Sequence, residues 1–301
     1  MRLFIAAIVK NEIDSLLEWI AFHRVVGVSG FIIADNGSTD ESRPLLAALA
    51  KLGIVTLLDH PTIEEEKPQL PAYERILRTC GKEVELLAFI DADEFLLPLS
   101  PDLGLVDFFN SRFQDESVSA VALNWANFGS NGELFAEEGL VTERFTKRAP
   151  QAFNVHHNFK SIVRPHRAAR FHNPHFAELR YGRYVDARGD DLILHAKHGK
   201  GVSAEVIWDG VRVNHYVVKS LEEFLLGKHL RGSAATANRV KHKAYFMAHD
   251  RNDETCLLAA TLMPKVKAEM HFLAEKIAAL PLDNPAPSSS WLATKIKKLK
   301  G

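Results

Sequence analysis

Four short apolar runs, residues 3–9, 31–34, 54–58 and 86–90, are separated by three segments with helical apolar spacing. Ile13, Leu16, Leu17 and Ile20 lie three or four apart or adjacent on one face, which predicts an amphipathic helix over 12–26 that Gly27 and Gly30 end. Helices are predicted likewise over 42–52, stopped at Gly53, and over 71–79, with Pro71 near its start. Alternation of this kind implies a parallel sheet with right-handed crossovers. The expected fold class is α/β: a Rossmann-like, mostly parallel central sheet flanked by helices.

Beyond residue 100 the texture changes. A helix over 103–112 and a strand over 120–125 are followed by a stretch, 128–188, rich in Gly, Asn, His, Arg and Pro, which reads as loops carrying a substrate site. A short strand over 193–196 and helices over 221–230 and 253–280 are predicted, the last interrupted at Pro264. The expected organisation is a domain over 1–240, with a nucleotide-binding half (1–100) and an acceptor half (101–240), then a C-terminal helical extension (241–280) and a linker with a basic tail (281–301). The formal charge of −1 argues against a dedicated nucleic-acid binder. Cys80 and Cys256 are the only cysteines, which excludes a disulfide framework and fits a reducing compartment. The apolar N-terminal run is broken by Lys10, Asn11 and Glu12 before it reaches the length of a signal segment, and no later run is long enough to span a bilayer.

The fourth apolar run leads straight into Asp91, Asp93 and Glu94. Open α/β sheets bind ligands at the carboxyl ends of their strands. In extended backbone Asp91 and Asp93 share one face, about 7 Å apart, and like charges so close call for a cation. A hard divalent ion, Mg²⁺ or Mn²⁺, would suit them and keep positions open for phosphate oxygens. On these residues alone, a solvated strand end with helix caps is an equal reading. The ends of strands one and two tip the balance, because Lys10-Asn11-Glu12 and Asp35-Asn36-Gly37-Ser38-Thr39-Asp40 should open on the same crevice. Asp35 can bond a ribose hydroxyl or a base imide, and Asn36, Gly37 and Ser38 form a turn at a helix N-terminus. Ser38 and Thr39 taken singly are better read as turn and cap residues. The combination points to nucleotide binding.

The chain resembles the family 2-like glycosyltransferases with the GT-A fold, in particular the bacterial branch related to the family 92 enzymes. The resemblance lies in Ile8-Val9-Lys10-Asn11-Glu12, in Asp35 to Asp40, in Asp91-Ala92-Asp93-Glu94-Phe95, in Lys160-Ser161-Ile162-Val163-Arg164-Pro165, and in Asn214-His215-Tyr216 with Lys219-Ser220. It covers residues 3 to about 232. It implies sugar transfer from a UDP- or GDP-sugar donor to a glycan or lipid-linked acceptor, with Asp91 at the donor ribose or metal and Asp93 as a direct metal ligand. Lys160, in its motif, counts with the donor-binding residues. The catalytic base has no unambiguous match.

Transfer from such a donor needs the departing diphosphate neutralised, and an inverting enzyme needs a base for the acceptor's proton. Lys219 and Arg231 are expected to close over the diphosphate from one helix after His215, while Lys228 reads as a solvated face. His215 is the candidate third metal ligand, with a core histidine nearly as good a reading. Of the 14 histidines, His175 and His195 are the acceptor-side candidates. Trp125, Asn127 and Phe128 end a strand near the crevice, where an aromatic can stack on a sugar, although core packing is the default for Trp125. The expected function is metal-dependent, inverting sugar transfer in the cytoplasm. The basic tail, 291–300, is a candidate for peripheral contact with the inner face of a membrane. A nucleotidyltransferase would carry a glycine-rich basic loop after strand one, where this chain has Lys-Asn-Glu, and a non-catalytic sugar-binding module would not need Asp91 and Asp93.

Overall fold

The computed structural model describes residues 1–61, 67–229, 240–281 and 286–299. The first part alternates as expected: β1 (Leu3–Val9), α1 (Ile13–Val25), β2 (Gly30–Asp35), α2 (Ser42–Lys51), β3 (Val55–Asp59), α3 (Gln69–Thr79) and β4 (Leu86–Phe89). Then come β5 (Glu94–Pro98), α4 (Leu105–Arg112), β6 (Val118–Asn127), α5 (Val141–Arg144), β7 (Lys147–Arg148), β8 (Phe159–Val163), β9 (Ala168–Asn173), β10 (Phe176–Leu179) and β11 (Arg183–Val185). The chain continues through β12 (Leu194–His195), β13 (Gly199–Ser203), β14 (Val211–His215), α6 (Leu221–Phe224), α7 (Lys243–His249), β15 (Glu254–Thr255), α8 (Met263–Ala278) and α9 (Ser289–Leu299).

The main sheet runs β3-β2-β1-β4-β8-β6-β14-β5, with β11 also on β6. β1 pairs in parallel with β2 and β4, and β2 with β3, so the predicted nucleotide half is a parallel sheet. β8 is antiparallel to both β4 and β6, whereas β14 runs parallel to β6 and antiparallel to β5. Strands β1, β2, β3, β4, β6 and β14 therefore all point one way, and their carboxyl ends meet along one edge of the sheet. β5 and β8 run the other way, so their first residues arrive at that same edge. The fold is α/β, with a mostly parallel sheet between helices.

Two apolar layers hold this arrangement. On one face Leu16, Leu17, Trp19 and Ile20 of α1 pack with Ile5, Ala7, Ile33, Leu86 and Ala88; on the other Ala72, Tyr73 and Ile76 of α3 cover Ala6, Ile8, Ile32, Leu87 and Phe89. Both faces of β1 and β4 are buried, which is why their sequences are continuously apolar rather than alternating. The C-terminal extension joins the first layer through Met263, Val266, Met270 and Leu273 of α8, and Leu292 of α9, 7% exposed, packs there too.

Several elements differ from the sequence expectation. Residues 128–188 are not only loops: they contribute β8, a central strand, as well as β9, β10 and β11. Pro264 does not interrupt a helix but sits in the first turn of α8, where its missing N–H costs nothing. The helix predicted over 221–230 is α6, closed by a capping box between Ser220 and Glu223, followed by a π-helical turn over Leu225–His229. Among the described residues no helix is long and apolar enough to cross a membrane.

Candidate active site

Asp91 and Asp93 do not sit in extended backbone. The strand stops at Phe89, and a turn closed by Glu94 N–H donating to Asp91 O at 3.0 Å leads into β5, so the two carboxylates face different partners. This corrects the shared-face expectation.

Asp91 turns toward β8 and α3. Lys160 Nζ donates to its Oδ2 at 2.8 Å, Gln69 Nε2 to its Oδ1 at 2.8 Å, and Tyr73 OH is 3.4 Å from the same Oδ1. Lys160 is wholly buried at the start of β8 and also lies 3.2 Å from Glu94 Oε2, which accepts the Asp91 N–H at 2.9 Å. One ammonium thus serves two carboxyls. Burial pushes Asp91 up, but Lys160 outweighs it and keeps the carboxylate below its usual range. Glu94, fully buried, is pushed by burial up to about 8, so it holds a proton at neutral pH. Burial lowers Lys160, but Asp91 and Glu94 raise it further, and it stays charged. Trp19 Nε1 pins the start of β5 by donating to Glu94 O at 2.7 Å.

Asp93 faces the other way. Lys228, from the turn after α6, forms an ion pair with its Oδ2, and His215 Nε2 is 3.5 Å from the same oxygen. Burial pushes Asp93 up, but Lys228 and His215 bring it well below the usual carboxylate range. Burial pushes His215 down to about 4, so its ring is neutral. The reading of Lys228 as a solvated face is therefore overturned: its ammonium is turned inward onto Asp93. The signal that could have found it is the helical spacing from Ser220 to Lys228, two turns after the cap. Lys219 is placed elsewhere. At φ 55° its backbone is left-handed, and its ammonium donates to Ser15 Oγ on α1 at 3.1 Å.

The first two strand ends are stitched to each other. Asn11, at φ 52°, donates its N–H to Ser38 Oγ at 3.0 Å and accepts from Thr39 N–H at 2.7 Å, while Glu12 N–H donates to Ser42 Oγ at 2.8 Å. Ser38 thus spends its hydroxyl on the loop. Asp35 and Asn36 are buried at the end of β2; Asp35 accepts from Ser38 N–H at 3.3 Å and pairs with Arg43 at 3.6 Å. Lys10 follows β1 on the same edge. Arg231 lies outside the described residues.

His175 joins the cluster from the β9–β10 turn. Its Nδ1 bonds Phe159 O at 3.0 Å, its ring lies 4.9 Å from Trp125, and Trp125 in turn is 4.3 Å from His215. Burial, with Lys160 nearby, pushes His175 down to about 3. His195 is not in this group; its ring neighbours are His157 and His198. His156 is structural, its Nε2 accepting the Asn127 N–H at 2.8 Å.

No three His, Cys, Asp or Glu side chains among the described residues converge as a metal cluster. Asp93 Oδ2 and His215 Nε2, 3.5 Å apart, nevertheless span about the separation of two ligands on one small divalent ion with bonds near 2.1 Å. Such an ion needs only one or two protein ligands when phosphate oxygens and water supply the rest. Asp91, engaged by Lys160, Gln69 and Tyr73, is not directed at that position.

The chain matches the model of glycosyltransferase family 92 over residues 6–214, more than half its length, and belongs to that family. Family 92 proteins of Ricinus communis and of Oryza sativa subsp. japonica are 28% and 27% identical to it over 205 residues, covering 64% of this chain. The aligned region is 35% and 33% of those proteins, so the chain spans about a third of the length of the curated relatives it matches. Among solved structures, S. aureus TarS 1-349 in complex with UDP-GlcNAc resembles it at 9% identity and a TM-score of 0.43, over 100% of this chain and 72% of that one. The mannosyltransferase PcManGT from Pyrobaculum calidifontis, in complex with GDP-Man and Mn²⁺, does so at 14% and 0.39, over 97% and 79%. Resemblance at that level does not superpose side chains, and the site rests on its own residues.

Proposed function

We propose that the protein is a glycosyltransferase that moves a sugar from a UDP- or GDP-sugar to a glycan or lipid-linked acceptor, with inversion at the anomeric carbon. Family membership supports sugar transfer. The observation that carries the reading is the convergence of Asp91, Asp93, Lys160, His215 and Lys228 where the carboxyl ends of β4 and β14 meet the starts of β5 and β8. Asp35 and the loop after β1 lie on the same edge and take the nucleoside.

Asp93 and His215 would hold Mg²⁺ or Mn²⁺, which when bound supplies Lewis-acid stabilisation of the leaving diphosphate. Lys228 brings a second positive charge to the same place, within reach of the departing phosphate once it leaves Asp93. Lys160 neutralises Asp91 internally and fixes the turn that presents Asp93. His175 takes the acceptor side: with Nδ1 on Phe159 O, its neutral Nε2 is left to accept a hydrogen bond from the acceptor hydroxyl and orient it.

The test is turnover of UDP- and GDP-sugars, as hydrolysis and as transfer to added glycans, with and without Mn²⁺. Metal-dependent release of nucleoside diphosphate that Asp93→Asn abolishes is expected. Turnover of none of these donors by a folded protein would overturn the reading.

A further inference from the structure

Asn127 ends β6 with its side chain completely buried, and neither its amide oxygen nor its amide nitrogen has a hydrogen-bond partner among the described residues. Two neighbours share that condition: His215 Nδ1 and Trp125 Nε1. They stand together for a topological reason. Trp125 and Asn127 are two apart on one strand, and Asn127 is directly opposite His215 on β14, so all three side chains project from one face. A buried polar group left without a partner is costly, and folded proteins keep few of them. The neighbouring buried asparagines on these strands, by contrast, are satisfied. Asn124 bonds His156 O, Ser203 Oγ and the Ile207 N–H, and Asn214 accepts from Arg212. Among the described residues single atoms of Glu94, Arg148, Arg167 and His271 are also unpartnered, but four of the eight such atoms, and the one side chain with neither polar atom satisfied, gather at the end of β6 and β14, against Asp93.

We propose that Asn127, Trp125 and His215 Nδ1 form the recognition site for the hydroxyl groups of the sugar being transferred. This rests on the sugar-transfer reading above and goes further, since it assigns the residues that distinguish one sugar from another. The chemistry matches. A sugar hydroxyl both gives and accepts a hydrogen bond, and the Asn127 amide offers two N–H groups and a carbonyl, enough to engage two adjacent hydroxyls. Trp125 adds an indole N–H and a broad ring set between His175 and His215, a surface suited to the C–H face of a pyranose. His215 links this site to the diphosphate, because its Nε2 faces Asp93 while Nδ1 belongs to the unpartnered set. A site built to bond a hydroxyl rejects a sugar that lacks it or presents it in the wrong configuration, because its buried groups are then left unpaired.

Asn127→Leu, nearly the same shape without the polar atoms, tests this by calorimetric titration with UDP, GDP and the epimeric pairs UDP-glucose/UDP-galactose and GDP-mannose/GDP-glucose. The variant is expected to bind free UDP or GDP as the wild type does, but to lose about tenfold in affinity for the preferred nucleotide sugar and to stop separating its epimer. Its Tm without donor should be unchanged or higher, since unpaired polar atoms have been removed. Trp125→Phe, which keeps a ring and loses the N–H, should shift the nucleotide-sugar affinity the same way by less. Unchanged epimer preference in both variants, or a lowered Tm in Asn127→Leu with donor affinity intact, would overturn the assignment and make Asn127 a structural residue satisfied by water. Failure of the wild type to bind any of these nucleotide sugars would overturn the sugar-transfer reading itself.

Discussion

Lys160 reaches Asp91 at 2.8 Å from the second residue of β8, and its ammonium is sealed from solvent. This internal cation holds the Asp91–Glu94 turn and lets one carboxylate remain ionised while the other keeps a proton. Removing one partner of a buried pair is costly because the other charge stays behind. Lys160→Met should therefore lower stability by about 3 kcal/mol or more in urea unfolding, and Lys160→Met combined with Asp91→Asn should recover part of it. A single variant as stable as the wild type would mean the pair is not what fixes the turn.

Asp93→Asn should keep the fold and lose transfer, since Asp93 is the carboxylate that His215 and Lys228 share. Lys228→Ala should lower turnover by about 2–3 kcal/mol in barrier, the scale of one electrostatic group at a developing charge. Lys219→Ala should cost much less, because its ammonium is committed to Ser15 on α1. Steady-state kinetics of the two lysine variants side by side decide this, and a larger defect for Lys219 would reverse the assignment.

The first four strands were legible because β1, β2 and β4 are buried on both faces and amphipathic helices with clear stops separate the strands. What the periodicity did not reveal is the antiparallel return. β8 carries Lys160 and Ser161 in its interior, polar residues that mask a central strand, and its place beside β4 is set by long-range pairing. The site was legible as a set of residue types at the ends of strands, Asp91, Asp93, Lys160 and His215. Its wiring was not. Which lysine meets which aspartate depends on a turn at Ala92 and on the path after α6, and neither has a periodic signature. Asn127 was visible only as a strand end, since the absence of partners is a property of packing.

His23 is a buried ring used on both sides: its Nδ1 bonds Trp19 O at 2.8 Å and its Nε2 accepts the Leu96 N–H at 3.1 Å. Burial pushes it down to about 3, well below its ordinary value of 6.5. Between those values the unfolded chain binds a proton that the folded chain refuses, so stability is fully present above about 6.5 and falls as the pH drops. The loss attributable to His23 should be about 2 kcal/mol at pH 5. Denaturant midpoints between pH 7.5 and 5 in the wild type and His23→Gln measure it, and an identical pH slope in both would show that other groups govern acid sensitivity.

The basic tail was expected to offer an apolar side to a membrane, but Leu292 spends its side chain in the core layer beside α8, with Trp291 packed against the same layer. α9 therefore contributes to the fold through Leu292 and Trp291, two of the residues expected on its apolar side. Leu292→Ala should destabilise the protein by about 2–3 kcal/mol, as for a buried leucine whose surroundings relax partly. Any attraction to an anionic surface then falls to exposed lysines such as Lys297, each worth about 1 kcal/mol and screened by salt. Co-sedimentation with phosphatidylglycerol vesicles should accordingly be weak, lost at high salt and no stronger in the wild type than in Leu292→Ala. Salt-resistant binding that Leu292→Ala abolishes would show that the helix leaves the core and inserts.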